Sequence, residues 1–281
     1  MEINCLKIQE KLIEKLKDEI SQIKLLYKIE PKIVFIKCNE DQNSEIFLKK
    51  KIAFATQLGI KSKIITEINN EKLLIEKINE LNNNSLVHGI LIQLPLFKNI
   101  NNQTVFNSIS YTKDVDCLHP INIGNFIINP QIEFGPCTAK GIMQILIDLK
   151  INFNNKYVVI INRSLIVGKP LFHYLISKNA TVTICHSHTK NLNFYTKNAD
   201  ILIVATGKGT LIDKSHIKKN AIVINVGYKK TPQKIIGDVD IDSIKQITKY
   251  YTPIINGVGP LTVVNIFCNL IYLVKKFHCN K

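Results

Sequence analysis

Residues 156–189, KYVVIINRSLIVGKPLFHYLISKNATVTICHSHT, restrict the fold of this chain more than any other stretch. They open on a continuous apolar run, 157–161, rich in β-branched side chains, the pattern of a strand buried on both faces. A polar turn, Asn162-Arg163-Ser164, follows, and Pro170 then stands where the first turn of a helix tolerates a missing N–H. Residues 171–177 continue helically, and a second apolar run, 180–185, ends at His186-Ser187-His188-Thr189. Strand, turn, helix and strand make a βαβ unit, whose turn is expected to present free helix N–H groups to a phosphate.

The turn carries a second signal. Arg163 is the only arginine among 37 basic residues; the other 36 are lysines. A guanidinium offers phosphate a planar fork and can stack on a base, neither of which an ammonium can copy. A lone surface arginine is the plain alternative, and its place on a βα turn beside Ser164 favours the phosphate.

The rest of the chain repeats the rhythm of strand and helix. Ile8, Leu12, Leu16, Ile20, Ile23 and Tyr27 have the spacing of an amphipathic helix over 1–28. A strand at 33–36, a helix at 44–58 stopped by Gly59, a strand at 62–65, a helix at 71–81 and a strand at 89–92 follow. Residues 111–136 read as irregular, with Pro120, Gly124, Pro130 and Gly135. A helix at 138–149 leads into the βαβ unit, strands at 201–204 and 222–226 end near Gly207 and Gly227, and an apolar helix at 261–276 closes the chain. The alternation predicts an α/β protein with two parallel or mostly parallel sheets, and 281 residues suffice for two cores.

A formal charge of +15 invites a nucleic-acid reading. The lysines, however, are spread among many Ile and Asn, with no dense block and no interleaved aromatics, as a coding bias would leave them. Nucleic acid is therefore not the expected partner; a small polyanionic substrate suits such a surface equally well. The seven cysteines are scattered, odd in number and without a CxxC, so they read as reduced thiols. No transmembrane-length apolar run and no signal or transit pattern is read, and the chain is expected to be cytoplasmic and off the membrane.

Several short stretches look too specific for packing alone. Phe47 and Lys51 stand one helical turn apart; GILIQLPL (89–96) places Gln93 at the end of a buried strand; DVDCLHPINIGNF (114–126), PCTAKG (136–141) and NGVGPLT (256–262) complete the set. Each has an ordinary reading. Lys49-Lys50-Lys51 is a charge run of the kind that covers a solvated helix face. Asp114 and Asp116 suit an Asx-type turn, Gly257 and Gly259 suit backbone geometry, and His186 with His188 lacks a further ligand set, so no metal is expected.

Taken together, Q-L-P-L, D-V-D-x-x-H-P, R-S-x-x-V-G-x-P and G-V-G-P-L-T resemble, nearly end to end, the bifunctional methylenetetrahydrofolate dehydrogenase/methenyltetrahydrofolate cyclohydrolase family. The resemblance implies two α/β domains around a cleft. These are a folate-binding catalytic domain, 1–137, completed by the helix 261–281, and a Rossmann-type NADP-binding domain, 138–260. It implies oxidation of 5,10-methylenetetrahydrofolate with NADP and hydrolysis of the product to 10-formyltetrahydrofolate, by a homodimer. Lys51 matches the catalytic lysine, Gln93 the glutamine that positions it, and Asp116 the carboxylate that grips the pterin. Phe47, Gly257, Val258, Gly259 and Pro260 are implied on the folate, and Asn162, Arg163, Ser164, Ser187, Thr206 and Gly227 on the cofactor.

The chemistry suits these residue types. A desolvated lysine gives up its proton more readily and can then accept one. An acceptor-only carboxylate fits the donor-rich edge of an aminopyrimidine. Four departures stand out: Phe47 for the usual tyrosine, Asn162 for the glycine before Arg-Ser, Cys117 for the glycine after Asp-Val-Asp, and Ile255-Asn256 for Pro-Gly. Asn162 is expected to keep its turn by tolerating left-handed backbone. A monofunctional NADP-dependent dehydrogenase with a weakened cyclohydrolase step, and a basic nucleic-acid-binding protein on the same scaffold, are the competing readings.

Overall fold

The apolar runs become the strands of two parallel sheets in the computed structural model, which describes residues 1–66, 68–130 and 133–279. By packing, the chain divides into two units. One comprises Lys11–Asn129, Glu133–Gly135 and the chain from Val263; the other comprises Met1–Glu10, Pro130 and Pro136–Thr262.

The first unit is built around three short strands. Helix α1 (Cys5–Tyr27) buries Ile8, Leu16, Ile20 and Ile23, as its periodicity requires, and turns its lysines and glutamates outward. Strand β1 (Lys32–Lys37) is buried from Ile33 to Ile36. Helix α2 (Gln42–Gln57) starts at Asp41, whose carboxylate accepts from Ser44 N at 2.6 Å, and is followed by Gly59 at φ 64°. Strand β2 (Lys61–Ile65), helix α3 (Glu71–Asn83) and strand β3 (Gly89–Gln93) follow. The sheet order is β2-β1-β3, all parallel, with Lys37 paired to Gln93 at the C-terminal end. Val34, Ile36, Leu74, Ile78, Ile90 and Ile92 form its core, each such side chain contributing about 1.5–3 kcal/mol by leaving water. The buried Lys113 ammonium closes the end of α3, donating to the Leu81, Asn82 and Asn84 carbonyls at 2.9, 2.7 and 2.7 Å.

Helix α4 (Asn102–Ser108) leads into the stretch read as irregular from the sequence, and there the structure differs. Pro120–Ile128 is a helix, α5, capped by His119, whose Nδ1 accepts from Ile121 N at 3.1 Å. Pro120 acts as a helix start rather than a breaker, which its position directly after a capping side chain permits. Residues 131 and 132 of that stretch lie outside the described residues.

The second unit begins with α6 (Cys137–Asp148), then β4 (Tyr157–Ile161), α7 (Gly168–Ile176), β5 (Thr181–Cys185), α8 (Leu192–Thr196) and β6 (Ile201–Val204). Strand β7 (Ile222–Asn225), an antiparallel hairpin of β8 (Tyr228–Lys230) and β9 (Ile235–Gly237), α9 (Ile241–Ile244) and β10 (Tyr250–Tyr251) complete it. The order β10-β7-β6-β4-β5, parallel throughout, puts β5 on one side of β4 and β6 on the other. Residues 1–10 join this unit because Ile3 N donates to Tyr251 O at 2.8 Å and Tyr251 N to Met1 O at 3.0 Å.

Helix α10 (Val258–Phe277) corrects the expectation that no apolar run has transmembrane length: an 18-residue stretch within its 20 residues has a mean hydropathy of 1.5. Of that stretch 67% is buried within the protein, however, with Phe267 against Phe54 at 5.4 Å between ring centres, so the sequence signal reflects a core helix. The last two residues of the expected 261–281 segment lie outside the described residues.

Candidate active site

The charge run on α2 resolves into three different lysines. Lys49 is exposed and pairs with Glu45 at 2.8 Å, and the Lys50 ammonium lies 5.9 Å from the centre of the partly buried Phe47 ring. Lys51, only 9% exposed, turns inward and donates to Gln93 Oε1 at 2.7 Å. A buried ammonium needs such an acceptor. The solvated-face reading therefore fits Lys49 and fails for Lys51.

Gln93 is held in turn. Its Nε2 donates to Leu94 O at 2.9 Å, which directs Oε1 at the lysine. Asn39 Nδ2 donates to Pro95 O at 2.6 Å and Gln93 O at 3.3 Å, and the buried Ser44 hydroxyl donates to Leu94 O at 3.1 Å. The loop after β3 is thus tied both to the end of β1 and to the first turn of the helix that carries Lys51. Asn39 and Ser44 were not singled out in the sequence. Their only signal there is a polar residue after a strand and another at a helix start, which most loops show.

Asp114 and Asp116 differ in their surroundings. Asp114, 1% exposed, accepts from His119 N at 2.9 Å and Asn122 Nδ2 at 2.8 Å, and organises the turn before α5. Burial pushes its carboxyl above the ordinary range, against the pull of these hydrogen bonds. Asp116 is partly exposed. The segment leading into them runs beside β3, where Ile90 N donates to Lys113 O at 2.7 Å. Cys117 and Asn256, both at φ 58°, keep the left-handed backbone that a glycine would supply.

In the second unit the parallel register gathers the residues expected at the cofactor. Ile161 pairs with Cys185 and with Val204, and Val204 pairs with Asn225, so four strands end together. Arg163, Ser164, Ser187, Thr206 and Gly227 all follow those ends, at the edge where open α/β sheets bind ligands and beside the point where strand order reverses. Arg163 is exposed, and among the described residues its guanidinium has no hydrogen bond or ion pair.

The turn itself differs from expectation in two respects. Asn162 does not adopt positive φ. Its side chain replaces the missing glycine differently: Oδ1 accepts from Ser164 N, Ser164 Oγ and Gly168 N at 2.8, 2.7 and 2.9 Å, and Nδ2 donates to Ala205 O at 2.6 Å. Consequently the N–H groups expected to be free for a phosphate are taken, Val167 N by Ser164 Oγ at 3.2 Å and Lys169 N by Ser164 O at 3.1 Å. What the edge offers an anion is the Arg163 side chain and the exposed Ser187, not the α7 N-terminus.

Three glycines show which positions packing dictates. A Cβ on Gly227 would meet Asp238 Oδ2 at 2.1 Å, and that buried carboxylate accepts from the N–H groups of Thr206, Gly207 and Gly209 at 2.5, 2.9 and 3.1 Å. Asp238 thus shapes the loop after β6, which its distance in sequence concealed. A Cβ on Gly257 would meet Pro253 O at 2.2 Å, whereas one on Gly259 would meet nothing within 4 Å. Packing demands the first and leaves the second unexplained. Val258 is buried and Pro260, partly exposed, accepts from Gln9 Nε2 at 3.2 Å.

Comparison with known proteins also finds two parts, with the border between residues 116 and 136. Residues 3–116 match the model of the tetrahydrofolate dehydrogenase/cyclohydrolase catalytic domain, and residues 136–278 that of its NAD(P)-binding domain. The bifunctional protein FolD of Halalkalibacterium halodurans is 40% identical over 265 residues, 94% of each chain. The crystal structure of the bifunctional methylenetetrahydrofolate dehydrogenase/cyclohydrolase FolD from Campylobacter jejuni, 35% identical, superposes with a TM-score of 0.93, covering 98% of this chain and 99% of that one. The Trypanosoma brucei methylenetetrahydrofolate dehydrogenase-cyclohydrolase, solved with NADP and an inhibitor, is 28% identical with a TM-score of 0.93, covering 98% and 97%.

Proposed function

The chain belongs to the tetrahydrofolate dehydrogenase/cyclohydrolase family, and on that premise we propose how its own residues oxidise 5,10-methylenetetrahydrofolate with NADP and hydrolyse the methenyl product to 10-formyltetrahydrofolate. The observation that carries the reading is the buried Lys51 ammonium held on Gln93 Oε1 at 2.7 Å. In hydrolysis, water oxygen bonds to the methenyl carbon and one of its protons goes to the neutral amine of Lys51; the carbon–N5 bond then breaks as the added hydroxyl becomes the formyl carbonyl, and the proton it gives up is taken by N5. The amine and the ammonium can both donate to Gln93 Oε1, so the lysine stays in place as its charge changes. Asp116 accepts from the aminopyrimidine edge of the pterin, and the Phe47 ring stacks on its flat face. Gly259, which no packing requires, lets the segment Gly257, Val258, Gly259 and Pro260 approach the folate.

NADP, when bound, supplies the hydride acceptor for the first step. The residues that would hold it are Arg163 and Ser187, with Asn162, Ser164, Thr206 and Gly227 shaping the edge; the unengaged guanidinium at that edge fits a phosphate-bearing cofactor. The reading assigns 1–137 with 261–281 to folate and 138–260 to NADP, in a cytoplasmic homodimer. A spectrophotometric assay with methylenetetrahydrofolate and either NADP or NAD, followed by hydrolysis of supplied methenyltetrahydrofolate, tests it. Absence of both activities in the folded protein overturns the assignment.

Two variants probe the binding residues. Arg163→Lys keeps the charge and loses the fork, so NADP affinity should fall roughly ten- to a hundredfold while NAD is affected much less. An equal loss for both cofactors, read from their KM values, places Arg163 on a group they share. Phe47→Tyr should change either activity by no more than about tenfold, because one neutral hydrogen bond is worth about 0.5–1.5 kcal/mol. Phe47→Ala, which removes the ring, should raise the folate KM far more. A wild type without cyclohydrolase activity that Tyr at 47 restores contradicts the stacking argument.

A further inference from the structure

The NADP-binding unit has a second concave feature, at the opposite edge of its sheet. A cavity of about 440 Å³ lies where β4, β6, β7 and β10 begin, lined by Lys156, Ile201, Ile222 and Tyr250 among others. Five of its fourteen lining residues are lysines, Lys150, Lys156, Lys218, Lys219 and Lys249, against 36 of 281 in the whole chain, so general composition does not account for them. The one acidic residue of the lining, Asp200, is already engaged: Oδ1 accepts from Lys218 Nζ at 2.6 Å and Oδ2 from Tyr157 N at 2.9 Å. Lys150 has a local reason to be there, since it stands just past the negative end of α6. Lys156, Lys219 and Lys249 form no ion pair among the described residues.

Like charges gathered in a concavity repel one another and focus a positive field into it, an arrangement that an anion relieves. From this the geometry points to a second anion site, in which Lys156, Lys218, Lys219 and Lys249 bind an oligophosphate, free or carried by a nucleotide. Lysines are point charges on flexible stems without a fixed fork, so they suit a chain of phosphates better than a single planar group. The volume falls within the range of small-molecule sites, about 300–1,000 Å³. The Tyr250 ring and Ile151 add an apolar wall against which a base can lie. The site stands on the unit's own geometry and is independent of the folate chemistry.

The experiment is isothermal titration of the protein, saturated with NADP to fill the opposite edge, with tripolyphosphate, ATP and AMP. Tripolyphosphate should bind saturably, with an affinity that falls as salt rises. The triple variant Lys156→Gln/Lys219→Gln/Lys249→Gln should weaken it at least tenfold and leave dehydrogenase activity and the NADP KM unchanged. A control triple variant, Lys72→Gln/Lys77→Gln/Lys98→Gln, removes the same charge elsewhere and should bind as wild type. ATP no tighter than tripolyphosphate identifies the phosphate chain as the ligand; ATP clearly tighter identifies a nucleotide; both support the site. Equal weakening in the two variants, no saturable binding, or AMP binding as tightly as ATP overturns it. Lys218 is left intact in the test so that its pair with Asp200 survives.

Discussion

Replacing Lys51 with Met is expected to lower methenyltetrahydrofolate hydrolysis by about 10²–10⁴-fold, the usual worth of a positioned proton acceptor. Met has nearly the length of the lysine stem and fills its place on α2, so the helix and its packing should persist. Stability will not be untouched, because Gln93 Oε1 loses the donor now 2.7 Å away in a buried setting, at a cost of about 1–3 kcal/mol. The double variant Lys51→Met/Gln93→Leu separates the two effects. Replacing both partners by apolar groups should recover much of the stability and none of the hydrolysis, since no unpaired amide oxygen is left at the site. Thermal unfolding and the hydrolysis assay read the two quantities independently. Hydrolysis at the wild-type rate in Lys51→Met would falsify the catalytic assignment.

Gly168→Ala is expected to be the most damaging single change at the cofactor edge. A Cβ there would lie 2.1 Å from Asn162 O, 2.5 Å from Asn162 C and 2.9 Å from Arg163 N, all backbone atoms that cannot swing aside as a side chain can. The turn must shift, and it is tied through Asn162 Nδ2 to Ala205 O at 2.6 Å, so the shift reaches the end of β6. Forced overpacking of this kind costs about 1–3 kcal/mol. A displacement of about an ångström in a positioning turn costs on the order of a hundredfold in the chemistry it serves. The NADP KM should therefore rise steeply, with hydrolysis of supplied methenyltetrahydrofolate much less affected. Gly124→Ala is the control: its Cβ meets nothing within 4 Å, and in the middle of α5 it should stabilise by about 0.5–1 kcal/mol. An unchanged NADP KM in Gly168→Ala shows that this turn does not hold the cofactor.

Much of this molecule could be read along the chain because the relevant physics is local. Runs of β-branched residues bounded by turn signals located β1, β3, β4, β6 and β7 within a residue or two, and alternation with helices made the sheets parallel. The Asn162–Ser164 turn was placed at a strand end by the same rule, and the parallel register then set Ser187, Thr206 and Gly227 beside it. The helix 120–128 was missed because Pro and Gly punctuate it, and a cap from His119 reverses what Pro120 means. The hairpin Tyr228–Lys230 with Ile235–Gly237 escaped because its strands are three residues each, too short for a period to show.

What only the tertiary structure decided is which polar groups meet. In the sequence, Lys49, Lys50 and Lys51 are alike; the fold turns one of them to a glutamine 42 residues away and leaves the others to Glu45 and Phe47. Asn162 looked like a backbone substitute for glycine, yet its amide does the holding and takes N–H groups that seemed free for a phosphate. Asp238 reaches the Thr206 and Gly207 N–H groups from 32 and 31 residues on. Hydrophobic burial repeats with the period of the element and so leaves a pattern in the sequence. A hydrogen bond between distant side chains has no period, and its partners become identifiable only when the sheets have brought them within 3 Å of one another.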